Sequence, residues 1–497
     1  MGAAASSEAH PIYQAAESTM GLTIRNLTIT PLELVEAERL IKPVELSSEP
    51  SGFAKITARI TGRSTAPPAP TATAIATSAA AAIATTKPPI PSTPIHPFSE
   101  SPTSIPAPEP STEQLRLTFA EPGTTHRYTA TFPGPSPQSL TMQHISPDPT
   151  TKEFTIVYLP RASYLAIFSS ARLSSWMAEL PPSLPLSALS IPGTHNSPTH
   201  YTALPSVRCQ AVSVREQLNN GIRFLDIRVS VPDESAGDTD LALVHSAFPI
   251  SLSGTKWFHD LLAEVYAFLD ENPSEGVLMS VKREGTGKGT DHLLGKYLRD
   301  RYFAGEDGKR WYTAPRIPAL EEARGKIVLV RRFHLDESMQ EVGFGIDGSV
   351  WPDNCADGTC GSGQIRIQDF YEVGQTEEID KKIELARAEL ERAAQQACVS
   401  AGEMNVSGGP LPMFINFLSA SSFFNASCWP DRIAAKINPS VIEYLCTGHG
   451  AAGKGPGQLT IGDAGTGVVV IDWVGNNGDW DIVRCIVGWN SRLQLKA

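Results

Sequence analysis

Cysteine is scarce, seven residues in a chain of 497. An odd and widely scattered set does not make a disulfide framework. Only Cys355 and Cys360 lie close together, in Asp353-Asn-Cys-Ala-Asp-Gly-Thr-Cys-Gly361. Three readings stay open for them: reduced loop thiols, a bridge across the loop, or help in binding a metal. Long hydrophobic runs are also missing. No apolar stretch reaches the roughly 18–20 residues that span a bilayer, and no basic-then-apolar segment opens the chain as a signal peptide would. An excess of positive charge is missing too. The net charge of −12 argues against a partner held by a general basic surface, so nucleic acid is not expected.

What is present is a large apolar fraction, 41% of the residues, enough for two or three domains or one large barrel with an appendage. The chain begins Met1-Gly2-Ala3-Ala4-Ala5-Ser6, which fits the pattern for N-myristoylation of Gly2. A single acyl chain gives only marginal, reversible membrane binding. Residues 1–14 are thus expected to be a flexible N-terminus, and the protein a cytoplasmic one that visits a membrane surface.

Residues Gly21–Gly62 alternate in strand fashion, as in Leu22-Thr-Ile-Arg-Asn-Leu-Thr-Ile and Phe53-Ala-Lys-Ile-Thr-Ala-Arg-Ile. Ser64–Thr112 is a Pro/Ala/Thr/Ser tract, too poor in large apolar side chains to order itself. Alternation resumes at Leu115-Arg-Leu-Thr-Phe, Tyr128-Thr-Ala-Thr-Phe and Phe154-Thr-Ile-Val-Tyr. Neither half supplies enough strands by itself. The expectation is therefore one small all-β, sandwich-like domain over 15–160, interrupted by a disordered segment at 64–112.

From Ser174 to Ala497 strands alternate with helices. The strands are read at Ala188–Ile191, Phe224–Val229, Leu241–His245, Val277–Val281, Ile327–Arg331, Gln364–Gln368, Phe414–Leu418 and Val468–Trp473. Amphipathic helices are read at Thr255–Glu271, Thr290–Tyr302, Glu377–Cys398 and Asp431–Leu445. This is an α/β pattern, an irregular TIM (β/α)8-type barrel over 174–497. Glu377–Arg392 reads as a solvated barrel helix. Gly448–Gly457 with Lys454 lacks the Gly-Lys-Ser/Thr ending of a phosphate loop and reads as a mobile loop.

In such a barrel the active site gathers at the C-terminal ends of the strands. His195, Asp226, Arg228, His245, Lys282, Arg332, Asp369 and Asp472 all fall there. A strained Pro192-Gly193 turn is expected to deliver His195. Asp226 and Arg228, two apart, share one face of a strand, whereas Arg331 and Arg332 point to opposite faces. Two imidazoles that titrate near neutrality, beside an arginine, suggest acid/base chemistry on an anion.

These strand ends resemble the catalytic X domain of phosphatidylinositol-specific phospholipase C in its bacterial-type form. The likeness is carried by Ile191-Pro-Gly-Thr-His195-Asn-Ser, Gly221-Ile-Arg-Phe-Leu-Asp226-Ile-Arg228, Val244-His245 and Asn272-Pro-Ser-Glu-Gly-Val-Leu-Met-Ser-Val-Lys282. It continues through Arg324-Gly-Lys-Ile-Val-Leu-Val-Arg-Arg332, Trp351-Pro-Asp-Asn354 and Gln368-Asp369-Phe-Tyr371. The N-terminal third lies outside it. The resemblance implies that His195 is the general base on the inositol 2-hydroxyl, that Arg228 holds the phosphate and that His245 protonates the departing diacylglycerol oxygen. It implies that Asp472 orients His195 and that Asp226 pairs with His245. Lys282, Arg332, Asp369 and Tyr371 look like the groups that grip the inositol ring, with Trp351 as a wall. The expected substrate is an inositol phospholipid or its glycosylated form, and the expected first product a cyclic phosphate.

Asn196 departs from the bacterial pattern, which has aspartate after the catalytic histidine to assist the arginine. The calcium-dependent metazoan relatives have asparagine there as a metal ligand, but they place acids where this chain has Arg228 and Lys282. Ca²⁺ wants six to eight oxygen ligands, and only Asn196 and Asp226 are in view. No metal and no cofactor are therefore expected, with slower turnover because Arg228 lacks its acidic partner. Two other readings stay open: a metal-dependent phosphodiesterase of other phospholipids, and a non-catalytic lipid-binding barrel.

Overall fold

The computed structural model describes residues 21–41, 83–87, 89–134, 139–233, 240–341, 343–398, 411–453 and 462–496. Gly2, the Phe53–Ile60 alternation and Lys454 lie outside the described residues.

Short β-branched runs such as Ile327-Val-Leu-Val and Val468-Val-Val-Ile are buried on both faces, as parallel strands wrapped by helices must be. Seven such strands form the barrel wall: β1 Ile191–Thr194, β2 Phe224–Ser230, β3 Val277–Arg283, β4 Ile327–Arg332, β5 Ile365–Asp369, β6 Met413–Phe417 and β7 Val468–Ile471. Their spatial order is β4-β3-β2-β1-β7-β6-β5, each pair parallel. Among the described residues β4 and β5 do not pair with each other. The free edge of β4 carries the fragments Trp311–Tyr312 and Ile346–Asp347, and β5 pairs instead with the antiparallel strand Cys355–Cys360. The barrel is open along that seam.

Two sequence expectations need correction here. Leu241–His245 is not a barrel strand: Ala242–His245 runs antiparallel off the end of β2 and folds back on Phe248–Pro249. Pro192-Gly193 is not a turn either, but lies inside β1. Glycine is needed there because a Cβ would sit 2.8 Å from the Phe224 Cβ on β2. The helices fall close to expectation. Among them are α1 Val214–Asn219, α2 Phe258–Glu271, α3 Asp291–Tyr297, α4 Glu378–Ala394, α5 Pro430–Thr447 and α6 Asp481–Gly488. In α2 the buried residues Phe258, Leu261, Leu262, Val265, Phe268 and Leu269 repeat at helical spacing and face the strands.

Ahead of the barrel stand two sheets. One has five strands, with Gly21–Asn26 between Ser99–Pro106 and Tyr164–Ser169; the other has six, centred on Leu32–Ile41 and Glu113–Ala120. They share a core that takes Ile24 and Ile167 from the first sheet and Leu34, Phe119 and Phe132 from the second. The expected disorder of 64–112 fails over its second half, where Thr93–Ile95 and Ser99–Pro106 are strands. Alternation within Tyr164–Ser169 sends Leu165 and Ile167 into that core and Ala166 and Phe168 into the barrel's core. Burying a side chain such as Phe168 contributes about 1.5–3 kcal/mol, and Gly488 of α6 lets it approach, since a Cβ would meet its ring at 2.6 Å. Polar contacts join the same surfaces. Arg25 donates to the carbonyls of Cys446 at 2.9 Å and His449 at 2.8 Å around the end of α5, and Ser491 Oγ donates to the Leu27 carbonyl at 3.0 Å.

Candidate active site

Strand register builds the site. Thr194 of β1 lies opposite Ile471 of β7, so the next residues, His195 and Asp472, leave their strands side by side. His195 Nδ1 sits 2.9 Å from Asp472 Oδ1, and both side chains are largely buried. Gln210 Nε2 ties the two strand ends together by donating to the carbonyls of His195 at 2.7 Å and Ile471 at 3.0 Å. Burial works against charge on His195, but the Asp472 carboxylate outweighs it and raises its proton affinity above that of a free imidazole.

A second row crosses three strands. Arg228 on β2 is in register with Lys282 on β3, and Lys282 with Arg332 on β4. Residues in register on neighbouring strands face the same way, so three cations point into the barrel mouth. Two carboxylates hold them. Asp226 Oδ2 accepts from Arg228 Nε and Nη2, both at 3.1 Å, and Asp226 Oδ1 lies 3.4 Å from Arg332 Nη1. Glu284 accepts from Arg228 Nη1 at 3.0 Å, Lys282 Nζ at 2.8 Å and the Ser246 backbone N–H at 2.8 Å. Burial opposes ionisation of both acids, but the cations prevail: Asp226 is held well below the usual carboxylate range and Glu284 at about 2. Arg331 turns the other way, onto Asp347, as the alternation requires.

This arrangement overturns two expectations. Asp226 is bound to Arg228 and Arg332 rather than paired with His245. Arg228 does not lack an acidic partner, because Asp226 and Glu284 both supply one. The Asn196 side chain is fully buried, and neither end of its amide has a partner among the described residues; its backbone N–H donates to Asp226 at 3.1 Å. Its φ of +43° gives the residue type a backbone reason, since asparagine tolerates the left-handed region. Ser246 after His245 and Trp473 after Asp472 also have positive φ, +51° and +55°. The candidate residues His195, His245 and Asp472 thus each stand just before a sharp break of the chain, a strained geometry typical of sites.

His245, on the hairpin off β2, faces His195 with ring centroids 5.8 Å apart and planes at 86°. Its Nδ1 lies 2.8 Å from the Val207 carbonyl oxygen, which can only accept, so that nitrogen carries a proton and Nε2 is left for chemistry. Cys209 Sγ lies 3.7 Å from the same Nδ1. Burial opposes ionisation of this thiol, but the two imidazoles beside it bring it down to about 7. His195, Cys209 and His245 are the group of potential metal donors found among the described residues.

Both histidines, Arg228, Lys282, Glu284 and Arg332 line one cavity of about 370 Å³. Its far wall is Trp351, which lies against the Arg332 guanidinium at 3.8 Å and donates from Nε1 to Asp369 Oδ2 at 2.9 Å. Tyr371, partly exposed, donates to Asp353 Oδ1 at 2.7 Å, and Glu372 completes the acidic side. Thus every expected site residue except Asn196 and Gly2 comes to this cavity or to a residue that lines it. Glu284 and Cys209 were not foreseen. Glu284 had a signal, since it follows Lys282 by two and continues the same strand face; Cys209 sits in a loop with no periodicity to read.

Residues 182–333 match the family model described as phosphatidylinositol-specific phospholipase C, X domain. Over 330 residues the chain is 26% identical to the 1-phosphatidylinositol phosphodiesterase of Staphylococcus aureus strain Newman, covering 64% of this chain and 94% of that protein. Human PI-PLC X domain-containing protein 2 is 32% identical over 135 residues, 21% of this chain and 42% of its own. A solved structure of the Staphylococcus aureus phosphatidylinositol-specific phospholipase C aligns with a TM-score of 0.49 at 22% identity, over 64% of this chain and 97% of that one. Over residues 182–333 the barrel thus carries the match to the phosphatidylinositol-specific phospholipase C X domain, and over a longer span it is similar to the bacterial phosphodiesterase.

Proposed function

We propose that this protein cleaves the phosphodiester of phosphatidylinositol, or of its glycosylated form, by attack of the inositol 2-hydroxyl on phosphorus. The observation that carries the reading is the pair of imidazoles facing each other across a cavity into which Arg228 projects. His195 takes the hydroxyl proton on the nitrogen that Asp472 leaves free. The new bond joins O2 to phosphorus as the bond to the diacylglycerol oxygen breaks, and His245 Nε2 protonates that oxygen. The products are diacylglycerol and inositol 1,2-cyclic phosphate. Arg228 offsets charge on the phosphoryl oxygens, the electrostatic part of such catalysis. Lys282, Arg332 and Asp369 hold ring hydroxyls, with Trp351 and Tyr371 as walls. Asp353, Asp369 and Glu372 make that end of the cavity acidic, which suits a ring bearing hydroxyls better than one bearing further phosphates.

The reading is metal-independent. Asp226 and Glu284 are each committed to Arg228, and the Asn196 amide is buried, so the oxygen donors a Ca²⁺ ion needs are not gathered at the phosphate position. Contact with lipid is assigned to the barrel rim. There Phe424 is 96% exposed, Phe423 is stacked on Phe248 at 5.3 Å, and Leu252 projects nearby in sequence from the hairpin. No helix among the described residues is long and apolar enough to cross a membrane. In this reading the two sheets, whose described strands run from Gly21 to Ser169 and so pass the expected end at 160, are a β domain that buttresses the 174–497 barrel, and acylation at Gly2 adds membrane residence. Labelling by a myristate analogue that persists in Gly2→Ala would refute the acylation.

Phosphorus NMR of phosphatidylinositol vesicles, in excess chelator, tests the activity directly. A growing inositol 1,2-cyclic phosphate resonance is expected, and none with His195→Ala. A silent spectrum from the unaltered protein with vesicle binding intact would instead favour a lipid-binding barrel, and turnover only on adding Ca²⁺ would overturn the metal-independent mechanism.

A further inference from the structure

We propose that His195, Cys209 and His245 form a binding site for a soft divalent cation of the zinc class, and that its occupancy switches the enzyme off. The inhibitory half of this proposal rests on the two-histidine mechanism above; the binding half does not. Cys209 has no part in that mechanism, yet it is fully buried with its sulfur within 4.8 Å of a ring nitrogen of each histidine.

The donor set favours this class of ion. Two imidazole nitrogens and one sulfur are ligands for zinc rather than for calcium or magnesium, which prefer oxygen. Three protein ligands with a fourth position open to a cavity is the arrangement of an accessible zinc site. Here the two histidines line the cavity, and the fully buried cysteine lies beside them.

The distances also fit. The three donor atoms lie within 4.8 Å of one another. An ion equidistant from the corners of a triangle of that size would sit about 2.8 Å from each, against zinc bonds of about 2.0–2.3 Å. Each donor therefore closes by roughly half an ångström or more. One edge is nearly set already, because Cys209 Sγ lies 3.7 Å from His245 Nδ1. Tetrahedral bonds of about 2.0 and 2.3 Å place nitrogen and sulfur about 3.5 Å apart.

The surroundings provide the outer contacts. Asp472 holds His195 Nδ1, which leaves its other nitrogen for the ion and makes the carboxylate–histidine–metal relay common in zinc proteins. On binding, the ion replaces the proton that His245 Nδ1 shares with the Val207 carbonyl, the proton of the thiol and the second proton of a charged His195. These protons pass to solvent, and no electron changes hands. His195 can then no longer accept the hydroxyl proton, and His245 is held away from the leaving oxygen.

Cobalt titration of the full-length protein, with the chelator removed, tests the site without reference to turnover. One equivalent of Co²⁺ should produce a thiolate-to-cobalt charge-transfer band and the intense visible bands of a tetrahedral ion, both abolished by one equivalent of Zn²⁺. The charge-transfer band should vanish in Cys209→Ser and survive in Cys355→Ser. Asp472→Asn should weaken binding about 10- to 100-fold. Absence of the band from the unaltered protein, or its persistence in a folded Cys209→Ser, would overturn the site whatever the activity. Zn²⁺ should also suppress phosphatidylinositol cleavage reversibly, with at least a tenfold higher concentration needed in Cys209→Ser. A cobalt spectrum as expected in a protein whose cleavage ignores Zn²⁺ would leave the site standing and refute the switch and the two-histidine mechanism.

Discussion

Arg228→Lys isolates what the guanidinium contributes to the phosphate. A guanidinium has five N–H donors, and three are engaged here, two on Asp226 and one on Glu284. Two remain, one on each terminal nitrogen, and these are the pair available to two phosphoryl oxygens. A hydrogen bond to a charged group contributes about 1.5–3 kcal/mol, so two amount to about 3–6 kcal/mol, or roughly 10²- to 10⁴-fold in rate. Lysine keeps the charge but loses the planar edge. Because it still pairs with Asp226 and Glu284, it avoids leaving buried carboxylates unpaired, which would cost about 3–5 kcal/mol of stability. The expected result is a fall in kcat of about 10²-fold or more, read as cyclic phosphate formation by phosphorus NMR, with the urea unfolding midpoint nearly unchanged. A kcat within about threefold of the unaltered protein, with the same midpoint, would refute the two-bond assignment.

Asp472→Asn removes the carboxylate that raises the proton affinity of His195. A base must be neutral to act, so the acid limb of kcat/KM should move to lower pH while the plateau falls by about 10²–10⁴-fold; an acid limb that stays in place would refute the pairing. At the rim, Phe423→Ser with Phe424→Ser should weaken binding to phosphatidylinositol vesicles by about 10-fold or more, since each ring brought out of water contributes about 1.5–3 kcal/mol. Unaltered sedimentation with vesicles would remove these rings from the lipid contact.

Much of the catalytic end was legible because parallel strands lend their ends to one place. Once Phe224–Ser230, Val277–Arg283 and Ile327–Arg332 are strands, Arg228, Lys282 and Arg332 need only register to form a row. His245 reached the site by a route the pattern did not reveal. Its apolar run reads like a barrel strand, and only the antiparallel pairing of Val229 with Leu243 shows it to be a hairpin. The proline-rich tract misled for a different reason. Ser99–Pro106 is an edge strand, where Pro102 and Pro106 are tolerated. Its order comes from Gly21–Asn26, far away in sequence, and not from its own composition. Cys209 could not be found at all, since only the fold brings its loop beside two histidines.

The hydrogen bond from Ser491 to Leu27 spans 464 positions of the chain. At a synthesis rate of roughly 5–20 residues per second, about 20–90 s separate the appearance of its two ends on the ribosome. Throughout that interval Gly21–Asn26 waits first for Ser99–Pro106, then for Tyr164–Ser169, and finally for the helices that cover the outer face of its sheet. An early strand completed so late is a kinetic liability, because unpaired edges and bare apolar faces invite association between nascent chains. Folding yield in this protein therefore depends on how well that first strand is sheltered while the barrel is still being made.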